Sequence, residues 1–118
     1  MRVEFSILNY QRPGGPLIPI AVLLLDPHSD MLHIGQRADL RGIAEEDGEI
    51  LKLWIVELQG RSRSESGLEM LRSLDETLSN AVQITERQHV EAADIPRALH
   101  DLCRRYFGPP NDSPGYSV

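Results

Sequence analysis

The sequence predicts an α+β domain: a four-stranded, mainly antiparallel sheet with three helices, in the order β-β-β-α-α-β-α. Residues 17–25 form an unbroken apolar run between two turn signals, which is typical of a strand buried on both faces. The turns beside this run are short, so the strands that they join are antiparallel. Farther along, apolar residues recur at helical spacing. Helices packed on one face of such a sheet give two layers.

The first three strands follow from alternation and turn residues. Residues 1–10 alternate apolar and polar side chains, as a half-buried strand does, and residues 12–15 (Arg-Pro-Gly-Gly) form a turn. The apolar run is the second strand. Because proline cannot donate to a ladder, Pro19 predicts an edge, a bulge or a strand start, with full pairing from about Ile20. Residues 31–36 are the third strand.

The first helix is predicted from Asp47 or Gly48 to about Gln59, after a helical turn over residues 39–43. Acidic residues gather at its start, where the helix dipole favours them. Its core-facing stripe has the spacing i, i+3, i+4, i+7 and consists of Leu51, Trp54, Ile55 and Leu58.

The second helix is predicted over residues 67–79, because Ser66 and Glu69 form a capping box before a leucine-rich stretch. Residues 81–90 alternate again and are the fourth strand. Asp94 caps the third helix, whose first turn tolerates the proline at position 96, and Gly108 ends it.

Length and composition bound the class of protein. The 118 residues suit one domain, predicted over residues 1–108, with a flexible tail over 109–118. The net charge of −6 argues against a nucleic-acid binder, since phosphate neutralisation supplies most of that affinity. The apolar run is shorter than the roughly 20 residues of a membrane helix. With a single cysteine and no apolar leader, the chain is expected to be cytoplasmic and not membrane-bound.

Catalytic and metal-binding patterns are weak. His100 and Cys103 lie at helical spacing i, i+3 and could share a metal ion, but two ligands do not make a site. Cys103 also lies within an apolar stripe, where a buried structural thiol is usual. The sequence has neither a nucleophile elbow around a serine nor a phosphate-binding glycine loop. We therefore predict no metal and no cofactor.

The leading functional hypothesis is a non-catalytic binding or protein-interaction module that forms a homodimer through its sheet, with a further protein partner as an option. If one face of the sheet meets the helices, the other carries apolar side chains without a cover. Tyr10, Leu23 and Leu25 are the predicted interface residues on that face. On this hypothesis, Leu23→Asp dissociates the dimer and leaves the helix content unchanged.

Two alternatives remain open. The first is a small enzyme or accessory nuclease with a polar site near the turn between the first two strands. Its candidate polar side chains are Arg12, His28, Asp30 and Arg37. The second is a small-molecule site between helices and sheet, which requires an internal cavity.

The chain also resembles an uncharacterised bacterial family, domain of unknown function 3037. Residues 18–24 (Ile-Pro-Ile-Ala-Val-Leu-Leu) stand where that family has a Glu-Phe-Val-Asn-Ile-Gly-Val-Leu-Leu type segment, and residues 102–107 end a C-terminal helix. The family's asparagine is Pro19 here, its glycine is Ala21, and its glutamate has no counterpart. The resemblance implies a fold but no activity, since the family has none to carry over.

Overall fold

A computed structural model describes residues 1–44, 47–77 and 81–108 of the chain. The predicted tail over 109–118, and the end of the predicted second helix at residues 78 and 79, lie outside the described residues. The elements are β1 (Arg2–Gln11), β2 (Leu17–Asp26), β3 (Met31–Gln36), α1 (Leu40–Ala44), α2 (Gly48–Arg61), α3 (Gly67–Thr77), β4 (Val82–Ile84), β5 (Gln88–Glu91) and α4 (Ile95–Phe107). The α+β class and the predicted order of elements are confirmed, with a fifth strand and the short helix α1.

The sheet has β1 and β2 at its centre. Its order is β3-β2-β1, with β4 and β5 both pairing with the far side of β1, and every pair is antiparallel. The predicted fourth strand is therefore split, with residues 85–87 outside the ladder. The Oγ1 atom of Thr85 accepts a hydrogen bond from the Ile7 N–H at 2.9 Å. The Thr85 N–H still donates to the Ile7 oxygen at 3.0 Å, whereas the Thr85 side chain takes the place of the second main-chain partner. The edge strand leaves β1 after this residue.

A β-bulge interrupts the pairing of β1 with β2. Leu8 opposes Ala21, whereas the next residue of β1 opposes Pro19, so Ile20 is the extra residue. Arg37 satisfies the carbonyl groups there: its N–H donates to the Ile20 oxygen at 3.0 Å and its Nη1 to the Pro19 oxygen at 3.1 Å. The sequence predicted a bulge as one option beside the proline, and the ladder reaches farther than predicted, to the first residue of β2.

Helices cover both faces of the sheet, whereas the sequence predicted helices on one face. Alternate residues of β2 point into two separate cores. Helices α1, α2 and α3 cover the first core, which contains Leu23 and Leu25. Helix α4 covers the second core, which contains Val22 and Leu24. The apolar run thus has a cover on each side within one chain.

Helix α4 lies close on the sheet because β3 carries a glycine beneath it. A Cβ atom at Gly35 would overlap the Cys103 sulfur and lie 3.2 Å from the Leu99 Cδ1 atom. The predicted cap is confirmed, since the Asp94 carboxylate accepts a hydrogen bond from the Arg97 N–H at 2.8 Å. Burial raises the pKa of the Cys103 thiol to about 11. The thiol therefore stays protonated and packs as a small apolar group.

Candidate interaction surface

The predicted interface residues lie inside the protein. Tyr10, Leu23 and Leu25 are 5 %, 0 % and 8 % exposed, and all three belong to the core under α1, α2 and α3. The Tyr10 hydroxyl donates a hydrogen bond to the Asp47 Oδ2 atom at 2.9 Å, at the start of α2. The prediction of an interface at these residues is wrong, because helices of the same chain cover the face that was expected to be open.

The predicted polar site does not form either. Arg12 and Arg37 lie at the end of the sheet where β2 begins, whereas His28 and Asp30 lie in the turn where β2 ends. Ten extended residues separate the two ends, which corresponds to about 30 Å. The four side chains cannot meet around one substrate.

The two arginines hold loops in place. The Arg12 Nη2 atom donates to the carbonyl oxygen of Gly42 at 3.2 Å and so joins the first turn to α1. Arg37 Nε lies 2.8 Å from Asp39 Oδ1, and its guanidinium lies 5.7 Å from the centre of the Phe107 ring. These contacts account for both side chains without a substrate.

The turn between β2 and β3 has a structural role at the start of α3. Asp30 adopts a φ of 53°, a left-handed conformation that asparagine and aspartate tolerate better than most residues. Its carboxylate accepts hydrogen bonds from the Ser66 hydroxyl and, at 3.1 Å, from the Leu68 N–H. The predicted Ser66 cap is confirmed, since its Oγ accepts from the Glu69 N–H at 3.3 Å. A carboxylate distant in sequence thus adds to the local cap.

The capping role of Asp30 predicts a pH dependence. Two hydrogen bonds lower the pKa of Asp30 below its ordinary 3.8, because both stabilise the charged carboxylate. The bond from the Ser66 hydroxyl has the larger effect on this pKa and the bond from the Leu68 N–H the smaller one. A carboxyl with a lowered folded-state pKa stabilises the fold above its unfolded-state pKa, and that stabilisation disappears as the pH falls through the folded-state value. We expect the melting temperature to decrease as the pH is lowered below about 4. The decrease should be less steep in Asp30→Asn, which keeps the left-handed conformation. Equal slopes in melts between about pH 5 and pH 2 would contradict this role.

The most unusual surface feature is a row of exposed apolar side chains on α2, which we call the outer ridge. Its members are Ile50, Leu53 and Val56, which are 67 %, 67 % and 49 % exposed. They lie three residues apart and so form one row along the helix. The buried residues Leu51, Ile55 and Leu58 lie on the opposite side, against the core.

Sequence reasoning missed the outer ridge, although the signal was present. The spacing of Leu51, Trp54, Ile55 and Leu58 accounts for the core-facing stripe alone. The remaining apolar residues of α2 fall on its outer side. A helix with apolar residues on both sides has a second contact to make, because a solvated helix face is normally polar. That signal could have identified the outer ridge.

Charged side chains border the outer ridge. Glu49 and Lys52 lie along one side of the row and Glu57 along the other, and all three are exposed. At the end of α2, Arg61 forms an ion pair with Glu65, with 2.8 Å between Nε and Oε2. An apolar centre with a charged border is the usual composition of a protein–protein contact surface.

The described part of the chain contains neither a cluster of metal-ligating side chains nor a helix that could cross a membrane. Residues 1–44, 47–77 and 81–108 contain no group of three or more histidine, cysteine, aspartate or glutamate side chains placed to hold a metal ion. Within these ranges, no helix has the length and apolar character needed to cross a membrane.

Comparison with known proteins yields no relative. No protein-family model, curated protein or solved structure matches the chain. The resemblance to domain of unknown function 3037 stays a prediction, and the function is inferred from the geometry of the molecule itself.

Proposed function

We propose that this protein is a non-catalytic interaction module that forms a homodimer through the outer ridge of α2. The observation that carries the proposal is the exposure of Ile50, Leu53 and Val56 in one row. Leaving such side chains in water forgoes roughly 1.5–3 kcal/mol of burial for each. The single, half-buried cysteine suits a cytoplasmic location for this module.

A second copy fits the outer ridge because the row is symmetric about Leu53. A two-fold axis through Leu53 sets the two α2 helices antiparallel, so that Ile50 of one protomer meets Val56 of the other. Interfaces of this isologous kind are the commonest among soluble oligomers. The contact therefore needs no complementary surface elsewhere on the chain.

The dimer is expected to be weak. At 1.5 Å per residue, the 14 residues of α2 span about 21 Å. A contact along one helix of that length buries less surface than a standard interface, which buries about 800 Å² per partner. Two protomers of net charge −6 also repel each other, and salt screens that repulsion. We expect a dissociation constant of about 100 µM that becomes lower as salt is added.

Sedimentation velocity between about 5 and 500 µM protein, at low and high sodium chloride, tests the proposal. We expect reversible dimerisation that increases with salt. Leu53→Glu should stay monomeric with an unchanged circular dichroism spectrum, because Leu53 is exposed and belongs to neither core. Leu17→Glu is the matched control: Leu17 is 45 % exposed at the start of β2, and this variant should dimerise like the wild type.

Two outcomes count against the dimer. The first is a wild type that stays monomeric at the highest protein and salt concentrations. The second is a Leu53→Glu variant that dimerises as well as Leu17→Glu does. Self-association that weakens as salt is added would indicate a contact between opposite charges on two copies in place of the apolar outer ridge.

A further inference from the structure

A cleft of about 250 Å³ lies between β1, the segment 85–87 and α3. It exists because β4 and β5 separate opposite the middle of β1, so that no strand pairs with Ser6 on that side. The side chains that matter are Ser6, Leu71, Asp75, Ile84, Glu86 and Arg87. None of them belongs to the outer ridge of α2, so the cleft is independent of the proposed dimer.

The floor of the cleft contains a buried hydroxyl without a partner. Ser6 is 1 % exposed, and no residue in the described part of the chain forms a hydrogen bond with its Oγ atom. Burying a hydroxyl without a partner is unfavourable, so most buried polar atoms are paired. The Ser6 side chain rotates about a single bond, and the hydroxyl can thereby turn toward a group that enters the cleft.

The walls and the rim differ in chemistry. Leu71 and Ile84 give the walls an apolar surface. At the rim, Asp75 and Glu86 are exposed carboxylates with no ion-pair partner among the described residues. The Arg87 guanidinium lies 3.5 Å from the Glu4 carboxylate, which offsets its charge. The rim therefore favours a cation.

We propose that this cleft binds a small primary amine that carries a hydroxyl group at its opposite end. The ammonium lies between the carboxylates of Asp75 and Glu86, the body lies between Leu71 and Ile84, and the hydroxyl exchanges a hydrogen bond with Ser6. At about 30 Å³ for each liquid water, the volume holds roughly eight waters or a molecule of about ten non-hydrogen atoms. This inference takes up the small-molecule alternative and goes beyond the proposed dimerisation.

Tyramine is a suitable probe, because it has this size and carries a phenol and an ammonium at opposite ends. Titration into the full ¹⁵N-labelled chain, followed by amide chemical shifts, should give saturable changes around residues 6, 71, 75 and 84–87. We expect a dissociation constant in the millimolar range. Phenethylamine lacks the hydroxyl and 3-(4-hydroxyphenyl)propionate replaces the ammonium with a carboxylate, so both should bind at least about five-fold more weakly.

Three variants separate the cleft from unspecific binding. Ser6→Ala and Asp75→Asn should each weaken tyramine binding about five-fold. Asp101 is an exposed residue of α4 at the other face of the sheet, so Asp101→Asn should leave tyramine binding unchanged. The proposal is overturned by shifts that do not saturate, as a cleft that holds only water would give. It is also overturned by equal affinity of Ser6→Ala and the wild type, or by equal binding of the carboxylate analogue.

Discussion

Replacing Leu23 with aspartate is expected to unfold the protein. Leu23 is fully buried at the centre of β2, under the helices α1, α2 and α3. An unpaired carboxylate at that position costs more than about 4 kcal/mol, against a total stability of about 5–15 kcal/mol for a typical domain. Far-UV circular dichroism and a urea titration at neutral pH should show lost helix signal or a strongly lowered midpoint.

Leu53→Glu is the matched control for this experiment. It also replaces a leucine with a residue that carries a carboxylate, but Leu53 is exposed on α2. The free energy of unfolding should therefore stay within about 0.5 kcal/mol of the wild type. If Leu23→Asp stays folded and only changes the oligomeric state, then the face of the sheet that carries Leu23 is open. In that case α1, α2 and α3 would not cover this face.

The second large effect is expected at Gly67, where α3 begins against the turn between β2 and β3. A Cβ atom there would lie 2.9 Å from the Leu32 nitrogen and 3.1 Å from the Asp30 oxygen, both main-chain atoms that cannot move independently. The Gly67 N–H also donates to that oxygen at 2.7 Å. We expect Gly67→Ala to lower the free energy of unfolding by about 3 kcal/mol, as overpacking of a tight contact does.

Gly60→Ala separates this clash from helix propensity. Gly60 lies in α2, and a Cβ atom added there would meet no atom within 4 Å, so alanine should stabilise the protein by about 0.5–1 kcal/mol. The two substitutions are chemically identical and should have opposite signs in the same urea experiment. Stabilisation by Gly67→Ala would mean that α3 does not approach the turn this closely.

Much of the fold could be predicted because its signals are local. The alternation over residues 1–10, the apolar run and the turn residues between them define the first hairpin. The caps at Ser66 and Asp94 place two helix starts correctly. The split of the fourth strand was not predictable, because it depends on the contact of Thr85 with Ile7, which is distant in sequence.

The distribution of the helices over the two faces could not be predicted from the sequence pattern. Both sides of β2 are apolar, so the strand gives no indication of which helix covers which side. Helix α4 has a clear apolar stripe, but the stripe fits either face. This gap produced the wrong interface at Tyr10, Leu23 and Leu25, which the sequence places on a free face and the structure places in a core.

The polar site failed for a related reason. Arg12, His28, Asp30 and Arg37 lie within a short stretch of sequence, yet an extended strand carries its two ends far apart. Sequence proximity across a hairpin therefore did not mean spatial proximity. Conversely, the outer ridge on α2 was readable as a second apolar side of the helix, and the cleft beside Ser6 required the sheet pairing.

Methyl nuclear Overhauser effects in a methyl-labelled sample test the covered sheet most directly. Val22 and Leu24 should give contacts to α4 methyl groups such as those of Ala98 and Leu102, and none to α2 or α3. The interleaved Leu23 should give contacts to methyl groups of α1, α2 or α3 and none to α4. If Val22 and Leu23 show contacts to the same helices, or either one shows contacts to no helix, then the sheet is not enclosed between two helical layers.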